Sequence, residues 1–187
     1  YDSMAAVIIK DMDAIKKEYG RKRRTAIENA EEAVYEEKKM EEMEVCFLMD
    51  RFGYMKLIDK NAYERNKEAV HNENKYVFNC MNTDKICIFT DTGKMHTIKA
   101  VDIPLGRFRD KGTPVDNLSN YDSSQERMLY VAPVGQLRSD RLLFVTKTSM
   151  CKLVEGAEFD VAKRTIASTK LADEDELIFI GSASEME

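Results

Sequence analysis

The chain has 187 residues and a mass of 21.5 kDa, enough for one sizeable core or for a smaller core with an appended element. Apolar residues make up 43% and charged residues 34%, with a net charge of -5, which describes a highly charged soluble surface and excludes a globally basic nucleic-acid binder. No apolar run approaches the roughly 18 residues a membrane span needs, and no basic-then-apolar leader is evident, so the expected location is the cytosol with no membrane partner.

In chain order, Val7, Ile8, Met12, Ile15 and Tyr19 recur at helical spacing and Gly20 follows as a stop, which predicts a helix over 4–19 with one apolar face. The chain opens at Tyr1 inside this pattern, as expected of a piece of a longer polypeptide. A basic knot, Arg21-Lys22-Arg23-Arg24, comes next, and Thr25-Ala26-Ile27-Glu28 has the capping-box pattern that restarts a helix. Residues 28–43 are acidic and rich in helix formers, the composition of a solvated linker helix.

From Glu44 the pattern changes to short apolar and β-branched runs. Three stretches, 47–58, 87–98 and 143–154, each read as strand, polar turn with Gly53, Gly93 or Ser149, and second strand. In each, a Lys or His sits three residues past the turn: Lys56, His96 and Lys152. Ser149 in place of glycine predicts a slightly different third turn. Outer strands are predicted at 76–81, 128–132 and 176–180, with further strand-like stretches at 113–118 and 165–171. Self-similarity on this scale points to a propeller-like array of four-stranded blades. The expected fold is mainly β, a partial β-propeller of about three blades (44–75, 76–126 and 127–180) preceded by a helix and linker over 1–43. Open edges of such an array call for covering, so further blades are expected in the parent polypeptide.

Nothing in the sequence assembles an active site. Phosphate-binding glycine loops and a nucleophile elbow are missing, and His71, in a charged loop, and His96, on a hairpin, read as surface residues. Cys46, Cys80, Cys87 and Cys151 lack paired short spacings and lie in apolar stretches, so buried reduced thiols are expected in place of a metal site. The run Asp173-Glu174-Asp175-Glu176 reads as a solvated turn. The basic residues are more suggestive: Lys56, Lys60, Arg107, Arg109, Lys111, Lys147, Lys152, Lys163 and Arg164 fall on hairpins or in loops. In a blade array such positions line up along one rim, and a cationic rim without a groove-reading helix suits a phosphate backbone.

Ile15-Lys-Lys-Glu-Tyr-Gly-Arg-Lys-Arg-Arg-Thr-Ala-Ile27 resembles the signature that ends the coiled-coil arm of bacterial type IIA topoisomerase A subunits, the gyrase A and topoisomerase IV A family. Gly53-Tyr-Met-Lys56, Ile88-Phe-Thr-Asp-Thr-Gly93, Asp102-Ile-Pro104 and Asp175-Glu-Leu177 are similar to the blade motifs of that family's C-terminal domain. The resemblance implies a β-pinwheel, a propeller-like disc with strands exchanged between neighbours, whose basic rim binds and bends duplex DNA for strand passage. It implies partnership with an A-subunit dimer and a separate ATPase (B) subunit in a nucleoid-associated bacterial enzyme. No cofactor and no catalytic residue are expected in this chain; ATP and Mg2+ would serve the holoenzyme. The stretch 63–75 lacks the glycines and arginine pair of the gyrase box, which tilts the expectation toward a topoisomerase IV-like enzyme. The alternative expectation, motivated by the acidic balance, is a protein-interaction propeller or scaffold.

Overall fold

The computed structural model describes residues 2–22, 24–25 and 41–184. The chain divides into two compact units, Tyr1–Lys39 and Met40–Glu187. In the first, helix α1 (Asp2–Tyr19) ends where the amide of Gly20 donates to the carbonyl of Lys16 at 2.9 Å. Its apolar residues Val7, Ile8, Met12 and Ile15 are all exposed. The linker helix expected over 28–43 lies almost entirely outside the described residues.

The second unit is built on three hairpins: β1 (Glu44–Asp50) with β2 (Tyr54–Asp59), β4 (Lys85–Thr90) with β5 (Lys94–Lys99), and β8 (Arg141–Thr146) with β9 (Cys151–Glu155). All three close the same way. The fourth turn residue adopts a left-handed φ (Gly53 +81°, Gly93 +75°, Ser149 +65°), and its amide donates to the carbonyl of Asp50, Thr90 or Thr146. The third turn therefore does not differ in geometry, contrary to the sequence expectation. Its backbone is held by Thr146 and Thr148, whose hydroxyls meet at 3.1 Å as those of Thr90 and Thr92 do at 2.9 Å. A side-chain lock of this kind tolerates serine in a conformation glycine adopts more readily.

The remaining strands are β3 (Asn74–Met81), β6 (Thr113–Pro114), β7 (Met128–Pro133), β10 (Thr165–Ala167) and β11 (Leu177–Ser182). They complete sheets of order β3-β1-β2-β6, β10-β5-β4-β7 and β11-β8-β9. The contiguous segments 44–75, 76–126 and 127–180 thus do not each supply one sheet. The outer strand after each hairpin pairs back onto that hairpin's first strand, and β6 and β10 reach back from beyond the next hairpin to cover β2 and β5. The strand-like stretch 113–118 shortens to two residues and continues as the one-turn helix α4 (Val115–Leu118).

Alternation along the strands stacks the sheets. In β4, Ile86 and Ile88 join Phe47, Met49 and Met55 of the first sheet in one core, while Cys87 and Phe89 join Phe144, Leu142 and Leu177 of the third in another. Burial on both faces explains why β4 reads as an unbroken apolar run. The outer face of the first sheet packs Cys46, Leu48 and Ile58 against Val70 of a helical segment. That segment, α2 (Lys60–Arg65) and α3 (Lys67–Glu73), replaces the charged loop expected around His71. Its residues are good helix formers, and Asp59 caps α2 by accepting from the amide of Ala62 at 2.8 Å. On the third sheet, Leu153 and Phe179 lie 47% and 45% exposed, and no strand among the described residues covers the outer edge of β9. Among those residues, no helix is long and apolar enough to cross a membrane.

Candidate nucleic-acid interface

The three equivalent positions past the turns face the same side of their sheets, since Lys56, His96 and Lys152 stand opposite Leu48, Ile88 and Phe144. Their surroundings differ by what crosses over them. Lys56 is half-buried beneath the loop that precedes β6, its ammonium bonded to the carbonyls of Phe108 and Asp110 and lying 5.4 Å from the Phe108 ring centroid. Burial lowers its pKa against the opposing pull of Glu73, Asp110 and Asp50. Here the lysine serves as a staple for the loop.

His96 is not a surface residue: only 1% of it is exposed. Its Nε2 lies 2.9 Å from Glu126 and its Nδ1 3.1 Å from the Thr165 hydroxyl, which in turn accepts from the Asn120 amide at 3.1 Å. A carboxylate only accepts, so Nε2 carries a proton; the Thr165 hydroxyl, with two lone pairs, accepts from Asn120 and shares a further hydrogen bond with Nδ1. Glu126, 5% exposed at its side chain, also receives the Lys94 ammonium at 2.7 Å. Burial pushes the Glu126 carboxyl up, but hydrogen bonds from Lys94, His96 and Thr90 outweigh it and hold the pKa below the ordinary carboxylate range. Lys152, with no crossing segment above it among the described residues, stays exposed.

The loop stapled by Lys56 is otherwise held by backbone bonds and by one carboxylate. Leu57 donates to Pro104 at 3.0 Å and accepts from Gly106 at 2.9 Å, and the Asp110 carboxylate accepts from the Arg107 amide at 2.7 Å. Gly112 returns the chain to β6 at φ +81°, where a Cβ would lie 2.5 Å from the carbonyl oxygen of Met55. Three candidate cations are displayed on this frame. Arg107 and Arg109 are exposed and make no ion pair among the described residues; the Lys111 ammonium lies 4.4 Å from the Tyr54 ring centroid. Lys56, Arg109 and Lys111 line one cleft of about 330 Å³ together with Asp50 and Glu73.

The other candidates fall elsewhere. Lys60 pairs with Glu44 at 2.7 Å, a hydrogen bond that raises its pKa. Lys147 pairs with Glu176 at 3.3 Å on the third hairpin turn. Lys152 lines a mainly apolar cleft of about 390 Å³ beside Lys170, Met150 and Leu171. Lys163 and Arg164 are exposed just before β10, and Arg164 borders a small cleft with Lys85 and Lys99.

The acidic run before β11 is a turn clasp: the Asp175 carboxylate accepts from the Thr148 amide at 3.2 Å and hydroxyl at 2.7 Å. Among the described residues no group of three or more His, Cys, Asp or Glu side chains is arranged to hold a metal ion. Cys46, Cys80 and Cys87 are buried free thiols, pushed up by burial to about 11, 12 and 12 respectively. Cys151 is exposed, contrary to expectation: it lies on β9, beyond which no strand pairs among the described residues.

One basic cluster escapes a reading of the sequence alone. Arg51 and Phe52 at the first turn, Lys75 at the start of β3 and Arg127 before β7 line a common cleft of about 230 Å³. The arginine-aromatic pair at a hairpin tip is the available signal; Lys75 and Arg127 have none, since only strand pairing brings them there.

The Lys56 staple carries a direct expectation. Lys56→Met, which keeps the stem and removes the ammonium, strands two carbonyls and costs about 1 to 3 kcal/mol. Hydrogen exchange should accelerate across 106–111 while the β1–β2 ladder stays protected; unchanged exchange in the loop would show that the backbone bonds alone hold it.

No protein-family model matches the chain. Its sequence is 28% identical over 190 residues to the DNA gyrase A protein of Clostridium acetobutylicum, covering 96% of this chain and 23% of that protein. It is 29% identical over 186 residues to the DNA gyrase A protein of Streptococcus pneumoniae, covering 91% of this chain and 22% of that one. In three dimensions it is similar to a topoisomerase IV C-terminal domain, with a TM-score of 0.66 at 17% identity over 76% of this chain and 46% of the other. The C-terminal domain of E. coli ParC matches with a TM-score of 0.56 at 10% identity, over 74% of this chain and 56% of the other. The chain spans less than a quarter of the length of these gyrase proteins and about half of the solved domains. Over nearly its whole length the sequence is thus similar to DNA gyrase A proteins, and its exchanged-strand β-pinwheel is the fold of the topoisomerase IV C-terminal domains.

Proposed function

We propose that this chain is a DNA-binding region of a type IIA topoisomerase of the gyrase A and topoisomerase IV A family, holding and bending duplex DNA without sequence preference for strand passage by an ATP-dependent holoenzyme. The observation that carries the reading is the stapled loop that presents Arg107, Arg109 and Lys111 to solvent free of ion-pair partners among the described residues. Cations on a fixed frame suit phosphates at a fixed spacing, and they offer charge without a helix or ribbon shaped to read base edges. Lys147, Lys152, Lys163 and Arg164 extend the proposed contact, with Lys60 at its margin. Residues 1–43 would be the end of the coiled-coil arm and its linker, 44–187 part of the pinwheel, and a further blade would pack on the open face of the third sheet.

Partners on this reading are duplex DNA, a second copy of the same polypeptide and a separate ATPase subunit in the bacterial cytoplasm, with no cofactor of this chain's own. The reading is topoisomerase IV-like, supported by the absence of a glycine-arginine box in 63–75, where the chain forms α2 and α3. Duplex binding measured against ionic strength tests the DNA reading, and no detectable affinity at low salt would sink it. Supercoiling against decatenation by the complete holoenzyme tests the finer one: efficient negative supercoiling would reject it.

A further inference from the structure

At the tip of the first hairpin, Phe52 is 87% exposed, the most exposed of the large apolar side chains described. A lone exposed apolar residue needs no explanation, but this one has a specific setting. Its turn is rigid: the Asp50 carboxylate accepts from the amides of Phe52 at 2.8 Å and Tyr54 at 2.9 Å, and Gly53 takes the left-handed φ that closes the loop. The backbone beneath the ring is thus fixed, so holding the ring against a ligand costs little further ordering.

The cleft beside it carries three cations. Arg51 makes no ion pair among the described residues, Lys75 lies 5.0 Å from the Tyr76 ring centroid, and Arg127 is 3.6 Å from Asp91 yet 63% exposed at its side chain. The acids in and around the cleft are already engaged: Asp50 by the turn, Asp116 by the amide of Ser123 at 2.8 Å and Asp91 by the amide of Arg127 at 2.9 Å. The two sister turns carry Thr92 and Thr148 where this one carries phenylalanine. An exposed π-face on a rigid tip, sharing one cleft with three cations, matches the chemistry of a nucleobase and its phosphates.

We propose that Phe52 is a base-stacking contact, with Arg51, Lys75 and Arg127 on the flanking phosphates. The proposal rests on the DNA reading above and adds a contact to a base face, whether presented by a duplex step opened through bending or by a single strand. It is tested on the whole chain with matched duplex and single-stranded oligonucleotides carrying a fluorescent base analogue. Phe52→Ala should weaken binding about tenfold, with the slope of log affinity against log salt unchanged because no charge is lost. Phe52→Tyr should restore affinity, and stacking should quench the analogue in the wild type and the tyrosine variant alone. A loss on duplex identifies an opened step, and a loss on single strands an unpaired base; either supports the contact. Wild-type affinity in Phe52→Ala on both, alongside weakened binding by a variant of the Arg107 loop, overturns the stacking contact and leaves the DNA reading standing. No binding by the wild type at low salt removes both.

Discussion

Reversing Arg107, Arg109 and Lys111 together to glutamate is expected to lower duplex affinity on the order of a hundredfold at moderate salt, and to flatten the salt dependence by about 3 in the log–log slope. On the proposed reading each cation would neutralise one phosphate and release its counterions, so the loss should fall equally on duplexes of any sequence. The fold should survive, because both arginines are exposed and the loop is held by Lys56 and by backbone bonds from Leu57 and Gly106. The cost of removing Lys111 from the Tyr54 face is about 0.5 to 1 kcal/mol. Fluorescence anisotropy across a salt series reads both quantities at once. Unchanged affinity would place the cationic contact elsewhere on the pinwheel, with Lys152, Lys163 and Arg164 the next residues to reverse.

Glu126→Ala is expected to destabilise the pinwheel by about 2 to 3 kcal/mol, since it leaves the Nε2 proton of a fully buried His96 without an acceptor. Lys94, half-exposed, can turn to water and adds little to the loss. The pH dependence follows from the direction of the Glu126 shift. A carboxyl whose pKa is lower in the folded than in the unfolded state contributes stability that is present above its ordinary value of 4.5 and lost as pH falls through the folded value. Asp160, held down by Arg138 and Lys85, acts in the same direction below its ordinary value of 3.8. Denaturant unfolding of wild type and Glu126→Gln at neutral and acid pH should therefore converge in acid. A gap between them that does not narrow at all as pH falls below 4.5 would mean the carboxylate charge is not what the cluster needs.

The hairpins are legible in the sequence because alternation and turn chemistry are local. The left-handed fourth turn residue, the β4 run buried on both faces and the outer strands all follow from residues near one another in the chain. Pairing across the array is not legible. Thr113–Pro114 covers β2 with two residues, too few to carry a period, and its place is set by Lys56 and Gly112, both bonded or packed to partners distant in the chain. The same non-local crossing hides the setting of His96. Nothing within the second hairpin says that Glu126 and Thr165 will close over it, so a polar residue on a strand reads as surface. Lys56 and Lys152 carry the same signal, yet one is a staple and the other an exposed cation. Helices α2 and α3 are obscured for a different reason. Their charges point to a loop, whereas the Asp59 cap and the single buried Val70 suffice to fold the segment onto the first sheet.

On the proposed reading, a net acidic chain holds duplex DNA through cations gathered by the pinwheel. Equilibrium binding of the chain to short duplexes of unrelated sequence, followed as ionic strength is raised, tests it most directly. Measurable affinity is expected at low salt, equal for every sequence, falling linearly in log affinity against log salt with a slope set by a handful of phosphates. No affinity at the lowest salt, or affinity that ignores salt, would contradict it.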